Sequence, residues 1–437
     1  MSAFEFLEPY RERIRTGVDQ PSWMRGVQLR ARLLPLIVIV LLLVQWLDPY
    51  RGWKVLLIGL GGVMATGFIW TWLLAGRVGV ERDMHRGWAQ VGDKFMERIA
   101  IRNRAPVPAP WLEIRDRSTL PQAAAGRVLR VAANEEKLWT RMHVCSRRGL
   151  FELGPMSLKV GDPFGIFTAR KEQVESRSLL VTPPIIQLPR IDVAPGGRIG
   201  EGRPRPQTLS RRASAAGLRE YVPGDSLRLI HWPSTAHHNT LVVRRQEGVT
   251  TQDWWILLDL NRRVQAGSGD QSTEELAIIL AASLADKGLR KGKKVGLATF
   301  SPDMTWLAAR SDPGHRARIL RALAVAKPGH RSLADLLKLV KHSRAASASL
   351  LIITPDPNRT WIEALVPILR SGGVATVLLA DPNSFGRAAE LYPLRRSLAR
   401  LRTSNYVFEK ELLERTELGD LGQVPWEWFQ GVGEGVN

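Results

Sequence analysis

The residues best suited to chemistry are concentrated between positions 219 and 238. This stretch holds three histidines, two carboxylates and two arginines: Arg219, Glu220, Asp225, Arg228, His231, His237 and His238. Histidine titrates near neutral pH, and histidine combined with carboxylate can ligate a metal ion or form an acid/base pair. One hypothesis is therefore a metal-dependent hydrolase centred on Glu220, Asp225 and His231.

The same residues also have a structural interpretation. Their spacing is not a recognised ligand pattern, and the chain shows no H-E-x-x-H, P-loop, G-x-G-x-x-G or nucleophile-elbow signal. In this alternative, Arg219 and Arg228 pair with Glu220 and Asp225 to hold an irregular segment against the next domain, with Trp232 as the hydrophobic anchor. This interpretation predicts docking rather than catalysis, so we expect the protein not to be an enzyme.

Uniformly apolar runs alternate with predicted helices after this segment. The runs are 254–260, 294–300, 349–355 and 373–381, and the predicted helices are 272–289, 314–326, 332–342 and 359–370. Such runs are typical of strands that are buried on both faces. Residues 250–410 are therefore predicted to form a doubly wound, mainly parallel α/β domain, with ligands at the carboxyl ends of its strands.

Before the segment, residues 77–192 show a periodicity of two. The apolar pairs predicted to face a core are Ile99 and Ile101, Leu129 and Val131, and Met142 and Val144. Short alternating strands separated by turns favour an antiparallel, β-sandwich-like domain. The sequence Asp162-Pro163-Phe164-Gly165 predicts a type I turn.

Two uncharged apolar segments lie near the N-terminus, at 33–47 and 55–75. They predict a transmembrane helix hairpin, in which Gly59, Gly61 and Gly62 permit close helix packing. Arginines are more frequent outside the hairpin than in its seven-residue loop, so both termini are predicted to be cytoplasmic. We therefore expect a multi-pass protein of the inner (cell) membrane.

The overall charge is strongly basic. Lys and Arg number 62 against 42 Asp and Glu, which gives a formal net charge of +20. This favours contact with anionic lipid or acidic protein surfaces, while no nucleic-acid-binding motif is present. Cys145 is the only cysteine, which excludes an intramolecular disulfide and a multi-cysteine metal site.

Two stretches resemble a bacterial family, domain of unknown function 58 (DUF 58). They are RRGLFELGPMSLKVGDPFGIF at 147–167 and GLREYVPGDSLRLIHWPSTAHHNTLVVRRQE at 217–247. The positions that match the family signature are Arg219, Glu220, Tyr221, Pro223, Gly224, Asp225, Arg228, Ile230 and Trp232. Ser226 and His231 stand where the family has acids, and Pro233 replaces a common lysine. Two missing carboxylates weaken an acid-based metal or catalytic role.

The resemblance implies a von Willebrand factor A-like domain with a metal-ion site at its strand ends. Here that site is degenerate: Asp259 holds the first position, Asn261 and Arg263 replace two serines, and Thr273 and Asp356 are weak candidates for the remaining ligands. Mg²⁺ binding is therefore not expected. The alternative is that Asp259 and Asp356 are strand-end carboxylates engaged by arginine or backbone N–H groups. The resemblance also implies a MoxR-type AAA+ ATPase as partner.

The sequence thus predicts a multidomain membrane protein. Its predicted parts are a cytoplasmic N-terminal segment (1–32), a helix hairpin (33–75), a β-sandwich-like domain (77–192), an irregular linker with the signature (193–248), a von Willebrand A-like α/β domain (250–410) and a tail (411–437). We expect a membrane-anchored protein-interaction scaffold that works with a MoxR-type ATPase in the assembly or regulation of cell-envelope or other complexes. The alternatives are the metal-dependent hydrolase and a regulator that binds anionic lipid or the cell envelope.

Overall fold

A computed structural model describes residues 27–84, 87–121, 126–173, 176–189, 191–194, 218–222, 230–238, 240–244 and 253–413. The chain divides into two compact units, Met1–Thr182 and Pro183–Asn437. Predictions that concern the other residues, including the N-terminal segment before Val27 and the C-terminal tail after Leu413, lie outside the described residues.

The first unit is rich in β-structure and includes two apolar helices. Its strands are β1 (Val27–Leu29), β2 (Val78–Asp83), β3 (Trp88–Gln90), β4 (Lys94–Asn103), β5 (Ala109–Asp116), β6 (Gly126–Val131), β7 (Glu136–Val144), β8 (Gly149–Leu153), β9 (Met156–Gly161), β10 (Phe167–Gln173) and β11 (Arg177–Thr182). They form sheets in the orders β1-β10-β9-β5-β6, β2-β4-β7 and β3-β11-β8. All these pairs are antiparallel except β3 with β11.

Strand β4 shows the alternation that the sequence predicts. Its residues alternate between exposed and buried positions, and Ile99 and Ile101 are 0% and 1% exposed. They share a core with Leu112 and Ile114 of β5. The period-two prediction is confirmed for this strand.

The buried face of strand β7 is the opposite of the predicted one. Met142 and Val144 are 63% and 50% exposed, whereas Arg141 and His143 are 8% and 7% exposed. The prediction for Met142 and Val144 is therefore wrong. The interior at this point holds ion pairs rather than hydrocarbon, and an apolar pattern cannot indicate such a core.

Four buried charged side chains form a cluster between two sheets. Arg82 contacts both Glu97 and Asp116, with 2.6 Å between its Nη2 and Asp116 Oδ2. Arg141 Nη1 lies 3.0 Å from Asp116 Oδ2 and 3.9 Å from Glu97 Oε2, and His143 Nε2 lies 3.3 Å from Glu97 Oε2. The two carboxylates are fully buried. Because a buried charge is very costly without partners, these groups hold β2, β4 and β7 against β5.

The apolar helices are α1 (Leu33–Leu47) and α2 (Arg51–Ala75). Within the described residues, α2 alone is long and apolar enough to cross a membrane by length and composition. Helix α1 has 15 residues, or about 22 Å, which is short of the ~30 Å hydrocarbon layer. The predicted two-helix transmembrane hairpin is therefore wrong. The anchor is also not separate from the β-rich unit, because β1 precedes α1 and pairs with β10.

The C-terminal turns of α2 pack against the β-rich unit. A Cβ added at Gly67 would lie 3.3 Å from Asp162 Cγ, and the Phe68 and Phe167 rings form an edge-to-face pair with centroids 5.7 Å apart. Trp70 Nε1 donates to the Pro108 carbonyl at 3.0 Å. The close approach occurs at Gly67.

The three glycines predicted to allow helix packing do not do so. Around Gly59, Gly61 and Gly62, an added Cβ would meet no atom within 4 Å. The glycine of α2 that permits close packing is Gly67, one or two turns further along the helix, where it contacts the β-rich part of the unit.

In the described part of the second unit, six strands form one large sheet with helices, and four more form two separate two-stranded sheets. Its strands are β12 (Leu218–Glu220), β13 (Val242–Arg244), β14 (Trp254–Leu258), β15 (Gly267–Ser268), β16 (Gln271–Ser272), β17 (Val295–Phe300), β18 (Met304–Arg310), β19 (Ser349–Thr354), β20 (Val374–Ala380) and β21 (Ser404–Phe408). The two-stranded sheets are β12-β13 and β15-β16. Its helices are α3 (Trp232–His238), α4 (Thr273–Arg290), α5 (His315–Val325), α6 (Leu333–Lys341), α7 (Thr360–Arg370) and α8 (Tyr392–Arg400). Two 3₁₀ helices span Arg344–Ser347 and Pro382–Phe385.

The large sheet is mixed, in the order β18-β17-β14-β19-β20-β21. Strand β18 runs antiparallel to β17, and the other neighbours are parallel. The fold class predicted for the chain is thus corrected here too, because a short hairpin after β17 adds an antiparallel edge. The uniformly apolar strands β14, β17 and β19 are buried at every position, as their sequences predict.

We predict that Arg82→Met will destabilise the first unit by about 3–5 kcal/mol, because it leaves the Glu97 and Asp116 carboxylates buried beside one arginine. Hydrogen exchange of peptides that cover β4 and β7 in the full chain should show lost protection. The matched control is Arg102→Met, since Arg102 pairs with Glu81 and Glu136 at the surface. Equal loss of protection in both variants would contradict a special role for the buried cluster.

Candidate functional site

The carboxyl ends of the parallel strands carry the acid that the sequence places first in a degenerate metal site. Asp259 follows β14 and is 3% exposed. Its Oδ2 accepts a hydrogen bond from Thr354 Oγ1 at 2.7 Å, and its Oδ1 accepts one from the Asn261 N–H at 3.0 Å. Both carboxylate oxygens therefore have protein partners.

Burial raises the pKa of Asp259 from 3.8 to about 6. The hydrogen bonds from Thr354 and Asn261 lower the pKa in part, and the nearby Asp356 carboxylate raises it further. Burial is the largest cause, because a desolvated carboxylate is less stable in its charged form. The buried site therefore favours the neutral, protonated form of Asp259, whereas a metal ion would need the charged carboxylate.

The other predicted ligands belong to the loop that follows Asp259. The Arg263 N–H donates to Asn261 Oδ1 at 3.1 Å, and the Arg263 side chain is exposed. Thr273 is buried, and its hydroxyl donates to Gln265 Oε1 at 2.8 Å. Gln265 Nε2 in turn donates to the Asp259 carbonyl at 3.0 Å. These side chains support the loop.

Asp356 caps the end of the neighbouring strand. Its Oδ1 accepts from the Asn358 N–H at 2.9 Å and from Asn358 Nδ2 at 2.8 Å, while its own N–H donates to Thr354 Oγ1 at 3.0 Å. Thr354 thus joins the two acids. The interpretation of Asp259 and Asp356 as strand-end carboxylates held by backbone N–H groups is confirmed.

A repeated spacing marks these strand ends, and the sequence reasoning missed it. Asp259, Asp356 and Asp381 each precede an asparagine by two residues, and each accepts a hydrogen bond from that asparagine's N–H. Asp381 follows β20 and bonds to Asn383 at 2.9 Å. The repeated D-x-N triplets could have been found by comparing the ends of the predicted strands.

The residues at this edge do not fit a divalent cation. No group of three or more His, Cys, Asp or Glu side chains able to hold a metal ion occurs in the described part of the chain. The Asp259 oxygens accept two hydrogen bonds, and the Thr273 hydroxyl supports the adjoining loop. The geometry is that of strand ends whose carboxylates accept hydrogen bonds from backbone N–H groups. It supports no metal-dependent step.

The signature segment forms a small antiparallel sheet. Arg219 pairs with Val243 and Glu220 with Val242, and the Tyr221 N–H donates to the Leu241 carbonyl at 2.7 Å. On the other side of β13, Ile230 bridges to Val243. The signature thereby forms a three-segment layer with β13 in its centre.

His231 lies at the start of helix α3 and supports it. Its Nδ1 lies 2.8 Å from Ser234 Oγ, and its N–H donates to the Val242 carbonyl at 2.8 Å. Glu220 pairs with Val242 from the opposite side, so the backbones of Glu220 and His231 are separated by one strand, or roughly 10 Å. Pro233 lies in the first turn of α3, where a missing N–H costs no helical hydrogen bond.

Trp232 does not act as a buried anchor. It is 65% exposed, and Val222 and Leu241 are 56% and 44% exposed. The hydrogen bonds of Tyr221 to Leu241 and of His231 to Val242 bring these three apolar residues into one short stretch of the layer. The interpretation of Trp232 as the hydrophobic anchor is wrong, and we call Val222, Trp232 and Leu241 the signature patch.

Several predicted site residues lie outside the described residues. They are Pro223, Gly224, Asp225 and Arg228, together with the side chains of Arg219 and His238. His237 is exposed on α3. The hypothesis of a hydrolase centred on Glu220, Asp225 and His231 stays a prediction.

Residues 217–384 match the model of the family "Protein of unknown function DUF58". The chain is 23% identical over 316 residues to Uncharacterized protein YeaD of Bacillus subtilis. The matched region covers 68% of this chain and 75% of YeaD. It is 27% identical over 107 residues to Uncharacterized protein Mb1516 of Mycobacterium bovis, covering 24% of this chain and 34% of that protein. The family resemblance predicted from the signature is supported over the matched residues.

Among solved structures, the CARDB domain of a Pyrococcus furiosus protein covers 24% of this chain and 94% of its own, at 13% identity and a TM-score of 0.18. A TM-score this low does not identify the fold.

We predict that Asp259→Asn will stabilise the second unit more at pH 7 than at pH 4. Between pH 3.8 and about 6 the folded protein binds a proton at Asp259 that the unfolded chain has lost, so wild-type stability falls as pH rises through this window. The asparagine variant lacks this dependence, and the difference should reach the order of 3 kcal/mol. Hydrogen exchange of β14 across this pH range, corrected for intrinsic rates, measures it.

The matched control for this experiment is Asp381→Asn. Asp381 follows β20, two strands from β14 in the same sheet, and accepts the same backbone hydrogen bond but is not buried. We expect the pH trend for Asp259→Asn and not for the control. A stability difference between wild type and Asp259→Asn that is constant from pH 4 to pH 7 would contradict the explanation based on burial.

Proposed function

We propose that this protein is a membrane-attached scaffold whose signature patch binds a protein partner. The observation that carries the proposal is the exposure of Trp232, at 65%, beside exposed Val222 and Leu241. Aromatic residues are enriched in the buried centres of protein interfaces, and tryptophan often contributes a large share of the binding energy. The patch would lose its contact with water when a partner covers it.

The layer beneath the patch supports it. The Tyr221 and His231 N–H groups bond to the carbonyls of Leu241 and Val242, and the Val242 N–H donates to Thr235 Oγ1 at 3.1 Å. Val242 and Val243, in the central strand of the layer, are buried. Binding would therefore order few additional groups, which favours affinity.

Membrane attachment is proposed from helix α2, which is long and apolar enough to cross a bilayer. No residue of α1 is buried, and the buried residues of α2 are limited to Gly67, Thr71 and Leu74. Apolar exposure on this scale is costly in water and favourable in lipid. The β-rich unit is proposed to lie on the cytoplasmic side, because Arg30, Arg32 and Arg77 lie where α2 meets this unit.

The proposed partner is a MoxR-type AAA+ ATPase, and the family resemblance is what supports this choice. The degenerate strand edge at Asp259 fits a scaffold that does not recruit its partner through a bound cation. A von Willebrand A-like role for the second unit is part of the same proposal.

We predict that Trp232→Ala will weaken partner capture at least tenfold, since loss of an interface tryptophan commonly costs about 2 kcal/mol or more. The measurement is pull-down from detergent-solubilised membranes under nucleotide-trapping conditions, with identification of any MoxR-type ATPase that is retained. Trp88→Ala is the matched control, because Trp88 is 58% exposed on β3 of the first unit. Failure of the wild-type protein to retain the ATPase would refute the partner, and equal capture by both variants would refute the patch.

We predict that Ile58→Lys will reduce the fraction of protein retained in carbonate-washed membranes. Ile58 is 76% exposed on α2, and a lysine in hydrocarbon costs about 2.5–3.5 kcal/mol. Leu138→Lys, at a position on β7 that is 73% exposed, should leave retention unchanged. Release of the wild-type protein by carbonate would count against membrane attachment.

A further inference from the structure

Both apolar helices leave the first unit beside one loop, Asp162–Phe167. The N–H groups of Arg30 and Ala31, which directly precede α1, donate to the Ile166 carbonyl at 2.8 and 3.3 Å. Helix α2 contacts the same loop through Gly67. The loop therefore lies where the exposed apolar parts of α1 and α2 begin.

The backbone of this loop is fixed by a buried carboxylate. Asp162 is fully buried, and it accepts hydrogen bonds from the N–H groups of Phe164, Ile166 and Phe167 at 2.7, 3.3 and 2.5 Å. The Gly165 N–H donates to the Asp162 carbonyl at 3.3 Å, which closes the predicted turn. The position of residue 164 is thus set by backbone contacts that do not involve its ring.

The Phe164 ring is 56% exposed at this position. Arg30 and Arg32 are also exposed, on the segment that leads into α1. The loop that carries the exposed aromatic ring is joined by backbone hydrogen bonds to the segment that carries the two exposed arginines, at the base of the apolar helices. This composition is that of a contact with the lipid headgroup region. In water the same ring would be an unexplained exposed apolar group in a rigid turn.

We propose that Phe164, with Arg30 and Arg32, forms an interfacial collar that inserts into the headgroup layer of an anionic phospholipid bilayer. The inference rests on the proposed membrane attachment and adds a second lipid contact to it. The collar holds the β-rich unit directly on the membrane surface. The Phe164 ring enters the bilayer interface while the two arginines bind lipid phosphates.

The experiment uses fluorescent labels at single cysteines in the full chain, reconstituted in vesicles of phosphatidylethanolamine and phosphatidylglycerol that contain spin-labelled lipid quenchers. The labelled positions are Phe164→Cys, Ile58→Cys in α2 and Val128→Cys on β6. The native Cys145 is fully buried, and burial raises its pKa to about 11, so wild-type protein gives the labelling background. Substitution at 164 leaves the backbone hydrogen bonds to Asp162 in place.

Val128 is the matched control. It is 65% exposed on the edge strand β6, which lies two strands, or roughly 10 Å, from β9 and three strands, or roughly 14 Å, from β10, the strands that flank the Phe164 loop. We expect strong quenching of the label at 164 by shallow quenchers, stronger quenching at 58 by deep ones, and little quenching at 128.

The possible outcomes separate the two proposals. Quenching at 58 without quenching at 164 overturns the collar and leaves membrane attachment standing. Absence of quenching at all three positions overturns both. In the collar, Arg30→Gln with Arg32→Gln should lower quenching at 164 in the anionic vesicles and have less effect in vesicles without phosphatidylglycerol. Equal quenching at 164 and 128 would also overturn the collar.

Discussion

The first unit depends on the neutralisation of charges that are out of contact with water. Glu97 and Asp116 are fully buried, and each is accompanied by Arg82 and Arg141. Glu97 and Arg141 are direct partners in the β4–β7 register. A shift of β7 by one residue would remove Arg141 from Glu97 and bury apolar side chains against two carboxylates that keep only Arg82 as a cationic partner. The cluster therefore fixes strand register as well as the approach of two sheets.

This constraint explains which parts of the fold the sequence could predict. Strands whose interiors are hydrocarbon follow their apolar pattern, as in β4 around Ile99 and in the uniformly buried β14 and β19. Strand β7 does not, because its buried face pairs with acids that are distant in the sequence. Helix α1 satisfied the composition of a membrane span but not its length. The segment that leads into α1 is fixed by β1, which pairs with β10 more than a hundred residues later in the chain. No local sequence pattern contains this pairing.

The same distinction applies to the candidate site. Asp259 and Asp356 were predicted to lie at one sheet edge, because the carboxyl ends of parallel strands meet there. Their shared partner Thr354 was not predicted, since its role depends on the exact alignment of β14 with β19. Trp232 was expected to be buried because tryptophan usually is. Its exposure depends on a helix start beside β13, and that start depends on His231 and the Val242 carbonyl.

The two proposed contacts lie in different units of the chain. The signature patch belongs to the second unit, whereas the apolar helices and Phe164 belong to the first. Each contact is supported by its own backbone hydrogen bonds, those of Asp162 in one case and those of Val242 in the other. Because the hydrogen bonds of Asp162 and those of Val242 share no residue, substitutions in the patch should leave lipid contact unchanged, and substitutions in the collar should leave partner binding unchanged. A scaffold needs this independence, since it must stay at the membrane whether or not its partner is bound.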